Sequence, residues 1–106
     1  MANNEPEFYI PDVREFLTGD AWPFQIAKSR YETGATLTSP SATVKRLSDG
    51  ADVTATFWPA GSGSVGASHV QWSAFTMAAA GDYEIRLSVL VSNNKRTDVL
   101  RVKVSA

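Results

Sequence analysis

Gly81–Val91, read as Gly-Asp-Tyr-Glu-Ile-Arg-Leu-Ser-Val-Leu-Val, constrains the fold of this chain more than any other stretch. Tyr83, Ile85, Leu87, Val89 and Val91 form an apolar stripe with a period of two, and Asp82, Glu84, Arg86 and Ser88 stand between them. Successive side chains of a strand point to opposite faces, so this pattern describes one buried and one wet face. The flanks agree. Ala-Gly-Asp-Tyr before the stripe reads as a tight corner, and Ser-Asn-Asn-Lys after it reads as a hairpin loop into Val99–Val104, with Leu100, Val102 and Val104 inward.

Other segments repeat the strand signal at short intervals. Ala21–Lys28 places Trp22, Phe24 and Ile26 on one parity, with the donorless Pro23 opposite, which suggests a strand edge or strand start. Ala42–Leu47 and Val53–Phe57 flank Asp49-Gly50, a favoured turn pair, and read as a hairpin. Val70, Trp72 and Ala74 alternate as a further strand. Val13–Leu17 is short enough for a first strand or a helical turn, and Glu32–Pro40 for a loop or an irregular strand. Thr76–Ala80 has room for one helical turn only. About seven strands and no long helix give an all-β antiparallel sandwich. Residues 1–10 read as a flexible N-terminal arm and 11–106 as one domain, near the common domain size.

Composition narrows the function classes. There is no cysteine, which rules out disulfides, thiolate catalysis and thiolate metal sites. The net charge of −1 supplies no bulk attraction to nucleic acid or anionic lipid, and neither is expected as a partner. The most basic cluster, Lys95, Arg96, Arg101 and Lys103, reads as the solvated face of the terminal hairpin. With no apolar run long enough to span a bilayer and no signal peptide, the expectation is a cytoplasmic product that leaves, if at all, within an assembly.

Chemistry-bearing motifs are sparse, and neither catalysis nor a cofactor is expected. Gly61, Gly63 and Gly66 match Gly-x-Gly-x-x-Gly, but a strand-like segment follows where a nucleotide cradle needs a helix, so they read as a mobile loop. His69, the sole histidine, falls on the parity opposite Val70 and Trp72 and should face solvent rather than act as a base. Asp49, Asp52 and Asp82 are too sparse for a calcium loop, and no metal is expected. Trp72, Phe24, Phe57 and either Phe75 or Trp22 read as core. Trp58 has the opposite parity to Phe57 and precedes Pro59 and the glycine-rich loop. Two readings stand for it: open to a sugar or a protein, or packed under the loop. Tyr31 is a weaker candidate of the same sort.

Ala-x-Gly-Asp-Tyr leading into an alternating strand resembles the corner of immunoglobulin-like and fibronectin-III-like sandwiches. The resemblance implies that Tyr83 bonds through its hydroxyl to the upstream backbone, with Gly81 as the small residue two before it. Leu17-Thr-Gly-Asp20, Leu47-Ser-Asp-Gly-Ala-Asp-Val-Thr54 and Ala80-Gly-Asp-Tyr83, in that order, are similar to small Ig-like domains of tailed-phage and prophage tail or baseplate proteins. That similarity implies a non-enzymatic structural role in a virion, with other virion subunits or further copies of the chain as partners. The alternative is a carbohydrate-binding or adhesion module that uses Trp58.

Overall fold

Gly81–Val91 forms the strand its alternation requires, and all five residues of the stripe are buried. In a computed structural model, which describes residues 13–106, the strands in chain order are β1 (Val13–Leu17), β2 (Ala21–Ala27), β3 (Leu37–Arg46), β4 (Gly63–Val65), β5 (His69–Thr76), β6 (Gly81–Val91) and β7 (Asn94–Ser105). They make two sheets, one ordered β1-β7-β6-β3 and the other β2-β5-β4. The all-β, seven-strand sandwich expected from the pattern is what forms. The arm expected over residues 1–10 lies outside the described residues.

One pairing departs from the expected antiparallel scheme. β1 runs parallel to β7, from Val13 beside Arg101 to Leu17 beside Ser105. The turn Leu17–Asp20 then carries the chain into the other sheet. Asp20 Oδ2 accepts the Leu17 N–H at 2.9 Å, and Gly19 takes φ +96°. Thr18 donates to Ser105 O and Gly19 to Met77 O, so this single turn is tied to both sheets.

Two bulges shape the core. Between Trp22 and Phe24 the β2–β5 register slips: Trp22 faces Phe75, and Phe24 faces Trp72. Pro23 sits at the slip and has no N–H to offer a ladder. The extra residue on β5 breaks its alternation. Trp72 and Phe75, three apart, both point inward, and Ala74, expected on the inner face, is exposed. The β3–β6 register shifts between Thr38 and Ser41, where Ser39 takes φ +52°. That bulge leaves Ser41 O to accept the buried Trp72 indole N–H at 2.8 Å, a bond from one sheet to the other.

The expected second arm of the Asp49-Gly50 hairpin is not a strand. Only Lys45 and Asp52 form a bridge, and Thr54–Phe57 closes into a single helical turn. Side-chain bonds explain the change, because they compete with a ladder for the same backbone groups. Asp52 Oδ1 accepts the Thr54 N–H at 2.9 Å, and Thr54 Oγ1 accepts the Val44 N–H at 2.8 Å. The helical turn delivers Phe57 onto Tyr83, with ring centroids 4.4 Å apart. By contrast, no helical turn forms over 76–80.

Opposite charges alternate across the outer face of the larger sheet. Lys103 stands between Glu15 and Asp82, and Glu84 between Arg101 and Lys45. Arg101 and Lys103 of β7 therefore belong to a mixed-sign surface in which cross-strand neighbours attract, whereas Lys95 and Arg96 stand opposite Leu90 and Val89. Among the described residues, no helix is long and apolar enough to cross a membrane.

The β3 and β4 edges meet at Pro40 and Gly63. A Cβ on Gly63 would lie 2.6 Å from Pro40 Cβ and 3.0 Å from the Gln71 carbonyl oxygen. Gly63→Ala is therefore expected to lower stability by about 1–3 kcal/mol through overpacking. A shift of the urea midpoint at constant slope would report it, and an unchanged midpoint would refute this account of the edge.

Candidate functional site

The three turns quoted for the phage-domain similarity lie at one end of the sandwich. Phe16 and Gly81 both pair with Val104, which puts the end of β1 level with the start of β6. Leu47, one residue past β3, donates its N–H to Asp82 O at 2.9 Å. The Leu17–Asp20 turn bonds to Met77 and Ser105, as above, so each turn is fixed to its neighbour's strand.

Each motif residue has a local task. The Tyr83 hydroxyl lies 3.1 Å from Ala79 O and 3.2 Å from Ala80 O, and donates to that upstream backbone. Gly81 takes φ +146°, and a Cβ there would lie 3.2 Å from the same hydroxyl oxygen, so the glycine makes room for the ring. Asp49 accepts from the Arg46 guanidinium at 3.0 and 2.9 Å and from the Ala51 N–H at 3.1 Å. The Arg46 hydrogen bonds, then the Ala51 N–H, hold the Asp49 carboxyl down at about 2. Bonding to Thr54 likewise lowers the Asp52 carboxyl, and Asp49 raises Arg46.

Apolar surface emerges at this end. Leu17 is 58% exposed, and Leu47, Ala79 and Ala80 are also exposed. Three strand spacings separate β1 from β3, so the two leucines lie roughly 14 Å apart. A depression of about 460 Å³, lined by Leu47, Ser48, Ala80, Gly81, Asp82 and Arg101 among others, lies between the second and third turns.

A second concavity runs between β1 and β2. It encloses about 650 Å³ and is lined by Arg14, Glu15, Phe16, Asp20, Ala21 and Trp22. Trp22 is 44% exposed, which corrects its placement in the core. It is the second residue of β2, directly after the Leu17–Asp20 turn, and leans on Phe16 with ring centroids 6.0 Å apart. The Arg14 guanidinium carbon lies over the indole, 5.9 Å from its centroid.

Neither aromatic residue singled out as a binding surface is exposed. Trp58 is only 5% exposed: its ring stacks on Phe75 at 5.2 Å, and its indole N–H donates to Ser73 O and Ser73 Oγ. The parity argument fails there because Trp58 follows a helical turn, where period-two alternation no longer applies. Tyr31 is 8% exposed and belongs to the core cluster. His69 is half-buried, and its Nδ1 lies 2.8 Å from the neighbouring Ser68 hydroxyl. Within the supposed loop, Gly63–Val65 forms β4 against β5. Among the described residues, no three of His, Cys, Asp and Glu gather to hold a metal ion. The exposed Trp22 went unforeseen in the sequence; Pro23 beside it was the available signal.

No protein-family model, curated protein or solved structure matches this chain.

Two outcomes follow from the turn chemistry. Tyr83→Phe should lower unfolding free energy by about 1–2 kcal/mol, the worth of a buried hydroxyl bond whose acceptors lose their partner. Chemical denaturation checks it, and a wild-type midpoint would mean that the corner bond carries no stability. The depressed Asp49 carboxyl contributes stability above its ordinary value of 3.8, and this is lost as pH falls through about 2. Arg46→Gln should move the Asp49 midpoint up towards 3.8 in a carboxyl-carbon NMR titration.

Proposed function

We propose that this chain is a non-enzymatic structural domain acting through protein–protein contact, of the kind that Ig-like domains supply in tailed-phage tail or baseplate proteins. One observation carries the reading: the three motif turns gather at one end and surround exposed Leu17 and Leu47. Strand direction already brings the ends of β1, β3 and β5 together; the exposed leucines that these turns carry are what hairpin closure alone does not require. An exposed apolar patch framed by polar groups is the usual form of a protein contact site.

Two further features support the reading. The β7-β6-β3 and β2-β5-β4 orders correspond to the G-F-C and B-E-D strands of immunoglobulin sandwiches, and the corner tyrosine has its counterpart there. Sheet extension along β3 is blocked, since Val53 and Thr54 bond to Val44 and the Pro40 bulge interrupts the edge. Contact through the end of the sandwich is the route left open on that flank.

The first test is light scattering after size exclusion over a wide concentration range. The expected result is a closed oligomer, such as a trimer or hexamer, because particle components assemble about symmetry axes. Leu17→Asp with Leu47→Asp should reduce it to a monomer and leave the thermal midpoint nearly unchanged, as both side chains are exposed. A strict monomer at every concentration would defeat self-assembly through this end.

A further inference from the structure

We propose that the groove between β1 and β2 is a saccharide-binding site with Trp22 as its platform. A pyranose ring presents one face of C–H groups and a rim of hydroxyls, so its recognition needs an aromatic plane beside polar acceptors. The indole is electron-rich on both faces, and with Arg14 lying over one, the other suits the C–H face of the sugar. Carboxylates accept strongly from hydroxyl donors. Trp22 and Asp20 line this one groove, with Arg14 at the same bank.

The platform and one acceptor are held in place. Phe16 braces the indole from the side, with the planes inclined at 55°. Asp20 cannot swing away: its Oδ2 accepts the Leu17 N–H, its own N–H donates to Leu17 O, and its carbonyl accepts the Met77 N–H. Among the described residues only Oδ2 is engaged, which leaves Oδ1 to take a ligand hydroxyl. Such preorganisation reduces the ordering cost of binding. The groove volume of about 650 Å³ lies within the range of small-ligand sites. A shallow site with one platform should bind weakly, with half-saturation on the order of 1 mM.

The groove adjoins the Leu17–Leu47 end through the Leu17–Asp20 turn, but neither leucine lines it, so the oligomer test and the glycoside test read different side chains. The experiment follows the three indole N–H signals of the full chain by NMR. The probes are methyl β-galactoside, methyl α-glucoside and diacetylchitobiose, with glucitol as a polyol that has hydroxyls but no ring face. The expected result is a saturable shift of the Trp22 signal with at least one glycoside, none with glucitol, and still Trp58 and Trp72 signals. Trp22→Ala should abolish binding, Trp22→Phe should retain it several-fold weaker, and Asp20→Asn should weaken it several-fold. Near-UV circular dichroism checks that each variant keeps its packing. No Trp22 shift with any glycoside at roughly 50 mM, well beyond the expected half-saturation, overturns the proposal, as does an equal response to glucitol. A Trp22 signal that moves only with protein concentration also overturns it and gives the groove to a second copy of the chain.

Discussion

The fold rests on the bond between the Trp72 indole and the Ser41 carbonyl. Trp72 is fully buried, so its N–H must find an acceptor or cost about 1–3 kcal/mol. The acceptor belongs to the opposite sheet and is available only because β3 slips its register just before Ser41. The same slip brings Pro40 against Gly63 and closes the flank between the sheets. With no cysteine to staple the layers, this polar tie fixes how they align, and the apolar stripes of β5, β6 and β7 fill the space between them. Arg30, just after β2, and Asp98 on β7 add a half-buried ion pair at 3.5 Å between the same two layers.

Packing also decides which aromatic residues can meet a partner. The helical turn after Asp52 withdraws Trp58 into a stack with Phe75, which in turn meets Phe24 edge-on with centroids 5.2 Å apart. Trp22 is left on the other side of the register slip, beside Phe16 of β1. The sandwich therefore buries the tryptophan that looked available and presents one that looked internal. Both effects trace to residues that interrupt ladders, Pro23 in one case and Asp52 with Thr54 in the other.

The parts of the fold legible in the sequence were those governed by simple alternation. In β6 and β7 every inward residue named from the pattern is buried, because both are long and uninterrupted, and the corner bond of Tyr83 lies where the motif implied. Legibility ended where side chains or bulges reset the period. Val53–Phe57 alternates well enough for a strand, but Thr54 occupies the Val44 backbone group that a ladder would need. Ala74 was assigned inward because nothing in its own strand reveals the slip opposite Pro23. The parallel pairing of β1 was equally hidden, since its partner lies far along the chain and leaves no local trace.

That pairing has a consequence for how the molecule is made. Thr18 bonds to Ser105 across 87 positions, and all of β1 lies against the end of β7. Loop-closure entropy must be met before such a contact returns anything, so it belongs late in the folding sequence. The hairpin of β6 and β7 can form locally, whereas β1, which seals its outer edge, returns from far along the chain. A partly folded chain therefore carries an unsealed β7 edge until β1 docks. Association between neighbouring chains would find its template there.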